Sequence, residues 1–123
     1  VAVDDIYDAT SKCGYDAGKV TTMRRDDLEW MLTIAEDGTL VEDGILPGLI
    51  QWPGGRNPAN KLPESGTWLK RLTLQHPQPD AIGQIIDQLA IDGPVEVRPG
   101  PANLIFEMQT NAGELVRLSS ASV

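Results

Sequence analysis

Two arginines lie in the middle of apolar, strand-like segments, where a charged side chain is least expected. Arg71 is part of KRLTL and Arg117 is part of GELVRL. Side chains alternate between the two faces of a strand, so the flanking leucines should face a core and both guanidiniums the opposite side. A guanidinium binds carboxylate or phosphate through paired hydrogen bonds, so the two arginines predict a cleft for an anionic ligand. The alternative is internal neutralisation by acidic neighbours such as Glu29, Glu96 or Glu107.

The aromatic and nucleophilic side chains have less specific interpretations. Trp30, Trp52 and Trp68 could stack on a ligand or simply fill a core, and we expect one of them at most, Trp30, to line a binding cavity. His76 precedes a proline, so a turn role is expected rather than general-base catalysis. Cys13 is the lone cysteine and is expected to be a small buried helix residue. The sequence contains no phosphate-cradling glycine loop or Cys-x-x-Cys motif.

The elements that would position these residues form two similar halves. In the first half, residues 1–52, the chain begins in a strand and then enters a helix that Asp4 or Asp5 can cap and Gly14 can end. Three further strands are predicted, over 19–25, 28–36 and 45–52. The segment 53–66 is rich in proline, glycine and asparagine and is predicted to be a linker.

The second half, residues 67–120, repeats the order of the first. A strand is predicted over 67–74, followed by a helix over 79–91 with one apolar stripe. Three more strands are predicted over 95–98, 104–109 and 114–120. Each half therefore reads β-α-β-β-β, which predicts a single α+β domain with eight strands and two helices. One face of each sheet needs a helix, and the uncovered faces are expected to curl toward each other around a cavity.

Composition excludes several classes of partner. The chain has 123 residues, 41% of them hydrophobic, and a net charge of −8. Nucleic-acid binding requires a basic surface, and an acidic chain is also repelled by anionic membranes, so we expect neither partner. No apolar run approaches the length of a membrane span. A lone cysteine allows no internal disulfide, which favours a reducing, cytoplasmic compartment.

Several motifs, in this order along the chain, resemble the glyoxalase-like domain family of the vicinal oxygen chelate superfamily, which includes glyoxalase, bleomycin-resistance and extradiol-dioxygenase families. The residues that carry the resemblance are LPGLIQWPGGRNPANKLPESG, LTLQHPQPDAI, VEVRPGPANL and TNAGELVRL. Trp52, Asn57–Pro58 and the His76–Pro79 turn match the family's typical features. The resemblance implies paired β-α-β-β-β modules. It also implies a further upstream module, which most members carry; we expect this chain to be a fragment or a reduced version without it.

The resemblance further implies where metal ligands would stand, namely near the start of each module's first strand and the end of its last. These positions fall before Val1, on Gln51, on Arg71 and on Arg117. A protonated guanidinium cannot be a metal ligand, so we expect no metal site and no cofactor.

Three functions are compatible with these observations. The first is a metal-independent small-molecule-binding module, whose ligand would contact Gln51, Arg71, Arg117 and Trp30; the two arginines favour an anionic ligand. The second is a glyoxalase- or lyase-type enzyme whose upstream module supplies the metal ligands. The third is a structural module that dimerises through exposed sheet edges, and a homodimer is expected in any case from the resemblance.

Overall fold

The computed structural model describes residues 1–121 and confirms the predicted α+β class, with two separate sheets. The first half contains the helix α1 (Ile6–Lys12) and the strands β1 (Lys19–Arg25), β2 (Leu28–Ile34) and β3 (Ile50–Gln51). The second half contains β4 (Thr67–His76), α2 (Pro79–Leu89), β5 (Val95–Pro99), β6 (Asn103–Thr110) and β7 (Leu115–Ser119). Short 3-10 turns occupy Val41–Gly44, Pro53–Gly55 and Pro58–Lys61.

The two α-helices begin and end as their sequences suggest. The Asp5 carboxylate accepts hydrogen bonds from the backbone N–H groups of Tyr7 and Asp8, which caps α1. Gly14 follows this helix with a φ of +84°, a left-handed conformation that glycine adopts without strain. In α2, Pro79 occupies the first turn, where its missing N–H costs nothing. Ala90 ends α2 in the left-handed region, an uncommon conformation for a residue with a side chain.

The predicted strand over 45–52 is wrong in its first part. Pro47 has no N–H for a sheet ladder, and only Ile50 and Gln51 pair with β2. Ile45 and Leu46 leave the first sheet and pack against Leu74 and Ile82 of the second half. This loop therefore joins the two halves.

From the helix onward the halves share an element order, but the opening strand predicted for the first half is reduced to a single bridge at Ala2, and the two sheets differ in strand order. The first sheet runs β1-β2-β3, and the chain start extends it because Ala2 pairs in parallel with Ile50 of β3. The second sheet runs β5-β4-β6-β7, so its first strand lies inside the sheet and its last strand is an edge.

Two hydrophobic cores hold the fold together. Ile6, Cys13 and Leu49 are fully buried between α1 and the first sheet. A second core lies between α2 and the second sheet. Tyr15 packs against both cores, and its hydroxyl donates a 2.6 Å hydrogen bond to the carbonyl of Pro47. Burial raises the pKa of the Tyr15 phenol well above its usual range, so this hydroxyl stays a donor.

Candidate functional site

The face of the first sheet opposite α1 carries a group of apolar side chains. Met31 packs into the core beneath α1, so its neighbours Trp30 and Leu32 point to the other face. The rings of Trp30 and Trp52 lie 5.3 Å apart and are tilted by 39°. Met23 pairs across the sheet with Trp30, and Ile50 pairs with Leu32. We call this group of five residues the tryptophan face; all are partly or largely accessible to solvent.

Gln51 lies on the α1 side of the same sheet. It pairs with Met31, and its side-chain oxygen accepts a 2.8 Å hydrogen bond from the backbone N–H of Ile6. The side chain therefore satisfies one of the unpaired donors at the start of α1. Gln51 and Trp30 consequently lie on opposite faces of the sheet.

Four charged residues alternate in sign across the second sheet, one from each strand. Arg71 of β4 pairs with Glu107 of β6, and Glu107 pairs with Arg117 of β7. The Arg71 guanidinium donates two hydrogen bonds to the Glu107 carboxylate, of 3.2 and 3.1 Å, and lies 3.5 Å from an oxygen of Glu96. We call these four residues the charge ladder. They occupy the face opposite α2, because Leu72 and Leu74 pack toward that helix.

Within the charge ladder, Arg71 and Glu107 stabilise each other's ionised forms. The hydrogen bond and charge of Glu107 raise the pKa of Arg71, with a smaller contribution from Glu96. The hydrogen bond from Arg71 lowers the pKa of Glu107, and the charge of Arg117 adds to this shift. Among residues 1–121, no carboxylate lies within ion-pair distance of Arg117. Two of the five N–H donors of Arg71 are hydrogen-bonded to Glu107 and a further nitrogen faces Glu96, whereas Arg117 has no such partner among the same residues.

Apolar groups and a groove flank the ladder. Trp68 and Leu115 both pair with Gln109 on the same face as Arg117, and are 49% and 60% exposed. On the other side of Arg71, a groove of about 320 Å³ is lined by Lys70, Arg71 and the segment 93–96.

The four residues predicted to bind a ligand do not share one face of one sheet. Arg71 and Arg117 share a face of the second sheet, with Glu107 between them. Trp30 lies on the tryptophan face of the first sheet, and Gln51 lies on the opposite face of that sheet.

One polar pair was not predicted from the sequence. His76 is only 9% exposed, its Nε2 lies 3.1 Å from Glu42, and its Nδ1 accepts a hydrogen bond from the backbone N–H of Gln78. Because Nδ1 accepts, the proton of the neutral ring lies on Nε2 and is donated to Glu42. The contact with Gln78 agrees with the expected turn role. The acid partner stands 34 residues away, in a loop with no regular pattern, so no signal in the sequence pointed to it.

The backbone of the Glu42 loop is strained. Glu42 and Asp43 have φ values of +49° and +57°, which side-chain-bearing residues rarely adopt. Such strain persists where the surroundings impose it, and here the His76 contact and the packing of Ile45 hold the loop on the second half.

No group of three or more His, Cys, Asp or Glu side chains within residues 1–121 is arranged to hold an ion. Within the same residues, no helix is long and apolar enough to cross a membrane.

Fold and motifs together define an α+β module of the vicinal oxygen chelate type. A family model described as a glyoxalase-like domain matches residues 1–90, which is most of the chain. The chain therefore belongs to the glyoxalase-like domain family, within the vicinal oxygen chelate superfamily. No curated protein and no solved structure matches it significantly. The match ends at the end of α2, so β5, β6 and β7 lie beyond it.

Proposed function

We propose that the chain is a small-molecule-binding module and that its ligand lies on the tryptophan face. The observation that carries this proposal is the tilted Trp30–Trp52 pair, partly exposed on a sheet face that α1 does not cover. Small-molecule sites are mostly apolar, with a few polar anchors, and indole rings stack on planar ligands. Met23, Leu32 and Ile50 extend this apolar surface on the same face.

Binding on this face is proposed to need no metal ion. The three family-equivalent ligand positions within the chain hold Gln51, Arg71 and Arg117, and neither guanidinium can ligate a metal. The side-chain oxygen of Gln51 is already engaged by the N–H of Ile6. An enzyme of the glyoxalase or lyase type would need its metal ligands from another module.

Calorimetric titration with zinc, nickel, manganese and iron tests this part of the proposal. We expect no stoichiometric site of micromolar or better affinity. A tight site that disappears in Gln51→Ala would contradict it.

Ligand binding on the tryptophan face is tested by fluorescence. In a Trp68→Phe variant, the remaining tryptophans are Trp30 and Trp52, so quenching reports on the proposed face alone. We expect a planar aromatic compound from a small-molecule screen to quench this signal saturably, and Trp30→Ala to abolish its stabilisation of the protein in a thermal-shift assay. Trp68→Ala is the matched control and should bind as the wild type does. Quenching confined to Trp68, or no saturable ligand at millimolar concentration, would overturn the proposal.

A second candidate site, for a small anion, is favoured by the guanidinium of Arg117, which pairs with no carboxylate among residues 1–121. Leu115 lies next to this group on β7, and Trp68 lies on the same face two strands away, so an apolar body could rest on them while Arg117 holds a carboxylate or phosphate. Arg71 is already hydrogen-bonded to Glu107, so we expect the charge ladder to stabilise the sheet rather than to bind a ligand through Arg71. Comparing a carboxylate ligand with its neutral amide in wild type and Arg117→Met decides the matter, because an anion site loses its preference for the acid in the variant.

A further inference from the structure

A small groove adjoins the tryptophan face at the end where β1 and β2 meet in a turn. The groove has a volume of about 240 Å³ and is lined by Asp27, Leu28, Glu29, Pro53 and Arg56. Leu28 precedes Trp30 by two residues in β2. Side chains two residues apart share a face of the sheet and are about 7 Å apart along the strand. The groove therefore continues the tryptophan face.

Arg56 reaches this groove through a tight turn that follows Trp52. Pro53 begins the turn, and Gly54 and Gly55 continue it with φ values of +61° and +69°, which glycine adopts without strain. The backbone N–H of Arg56 closes the turn with a 3.2 Å hydrogen bond to the carbonyl of Pro53. The turn thus brings a guanidinium-bearing side chain back beside β2, four residues after the indole ring of Trp52.

A second arginine stands on the same face of the sheet. Arg25 pairs across the sheet with Leu28, as Met23 pairs with Trp30. Paired residues present their side chains on one face, so Arg25 lies next to Leu28 there. Among residues 1–121, no carboxylate lies within ion-pair distance of Arg25 or Arg56, and both arginines are exposed. Two unpaired guanidiniums therefore adjoin this end of the tryptophan face.

Acidic residues at the groove offset only part of this positive charge. Glu29 is on the opposite face of β2 from Trp30, and its carboxylate lies 3.0 Å from the guanidinium of Arg24. Asp27 lines the groove without an ion-pair partner in the described part of the chain. Asp26, its neighbour in the turn, is not one of the lining residues. Two unpaired guanidiniums thus stand against one unpaired lining carboxylate, on a chain whose net charge is −8.

We propose that the ligand of the tryptophan face is a planar aromatic carboxylate, whose ring lies on Trp30 and Trp52 and whose carboxylate binds Arg56. Arg25 adds its charge from the neighbouring strand. This inference rests on the proposed function and deepens it by naming the class of ligand. A guanidinium binds a carboxylate through paired hydrogen bonds, and an apolar surface with one charged anchor is the usual composition of a small-molecule site.

Calorimetric titration with para-nitrobenzoate and its neutral amide, para-nitrobenzamide, tests the inference, because the two probes share a planar ring and differ in charge. We expect the wild type to bind the acid about fivefold more tightly than the amide, as for a charged hydrogen bond that is partly screened by water. Arg56→Met should remove this preference and leave the affinity for the amide unchanged. Arg56→Lys should keep part of it, since the charge remains but the paired geometry is lost. Arg25→Met should reduce the preference by less, because Arg25 does not line the groove.

Two further variants complete the comparison. Arg98→Met, at an exposed position of β5 in the second sheet, is the matched control and should bind both probes as the wild type does. Asp27→Asn should strengthen binding of the acid alone, since it removes the opposing charge of the groove.

The outcomes separate this inference from the proposed function. Equal affinity of the wild type for the two probes would overturn the inference, while binding of both on the tryptophan face would leave the proposed function standing. A preference for the acid that disappears in Arg117→Met rather than in Arg56→Met would place the carboxylate on the charge ladder and would also overturn it. If neither probe binds at millimolar concentration, the inference is wrong, and the proposed function is decided by its own fluorescence screen.

Discussion

The two halves of this chain share the order of a helix followed by three strands, but they place the segment before the helix differently. In the first half, the opening segment lies in parallel beside the last strand, through the Ala2–Ile50 bridge. In the second half, the opening strand β4 lies between β5 and β6, and β7 closes the sheet at one edge. The family match covers the whole first half but stops at the end of α2. Element order along the chain therefore does not determine which strands become neighbours.

The two sheets also differ in the side chains that they present on their faces. The first sheet presents an aromatic, apolar face, whereas the second presents the charge ladder on one face and partly exposed apolar side chains, including Phe106 and Leu118, on the other. The halves are nevertheless coupled, because Ile45 and Leu46 of the first half complete the core of the second.

The largest expected effect tests this coupling. Ile45 is 3% exposed, and Ile45→Ala should lower the free energy of unfolding by about 2–4 kcal/mol, since it removes buried methylenes and leaves a cavity. Urea denaturation followed by circular dichroism should still show a single transition, because the loop belongs to both halves. Leu40→Ala, at a 75% exposed position nearby, is the control and should have little effect. Two separate transitions, with the first half unchanged, would show that the halves fold independently.

A smaller effect distinguishes the ends of the two helices. Both helices end in a left-handed residue, which is Gly14 in the first half and Ala90 in the second. A side chain in this conformation costs roughly 1 kcal/mol, so Gly14→Ala should destabilise the protein and Ala90→Gly should stabilise it. The added Cβ at position 14 would also lie 2.7 Å from the side-chain oxygen of Gln88.

Gly83→Ala provides the control for these two variants. Gly83 lies inside α2, and a Cβ there would meet no atom within 4 Å. In this ordinary helical position alanine should stabilise the protein by about 0.5–1 kcal/mol. Chemical denaturation that gives the same sign for Gly14→Ala and Gly83→Ala would contradict the role of the left-handed conformation.

Local sequence patterns predicted much of this fold, but they could not predict contacts between residues that are distant along the chain. The predicted bounds of β1 agree with the structure, because a run of strand-forming residues ends at a polar turn after Arg25. The Asp5 cap and the apolar stripe of α2 were likewise visible as local spacing. The strand order of the second sheet depends on which strands pair, and alternation within a strand carries no such information.

The candidate site shows the same limit. Alternation correctly placed Arg71 and Arg117 on the face away from Leu72, and Glu107 was among the named alternatives as a neutralising partner. The interaction of Gln51 with the start of α1 could not be predicted, because it depends on how β3 meets the helix. The pairing of His76 with Glu42 depends on a strained loop that crosses between the halves.

The charge ladder predicts unequal roles for its two arginines. Arg71→Met should lower the melting temperature, because it leaves Glu107 and Glu96 close together without their shared cation. Arg117→Met should change it less, since no carboxylate among residues 1–121 pairs with Arg117. The change for Arg71 should be modest and should shrink in high salt, because partly exposed ion pairs are screened. Differential scanning calorimetry at low and high salt measures both, and equal effects of the two variants would contradict the asymmetry.

The smallest expected effect is a pH dependence that belongs to the second half alone. The hydrogen bond from Arg71 holds the pKa of Glu107 below its ordinary value of 4.5. A carboxylate with a lowered pKa stabilises the folded state at neutral pH, and this contribution is lost as the pH falls below 4.5 through the folded-state value. Glu107→Gln should therefore be less stable than the wild type near neutral pH, and the stabilities of the two proteins should converge in acid.

Glu64→Gln, at an exposed position of the linker, controls for the loss of one negative charge. Urea unfolding of the three proteins between neutral pH and about pH 3 gives the comparison. A constant difference between Glu107→Gln and the wild type across this range would show that packing, rather than the Arg71 ion pair, is what position 107 contributes.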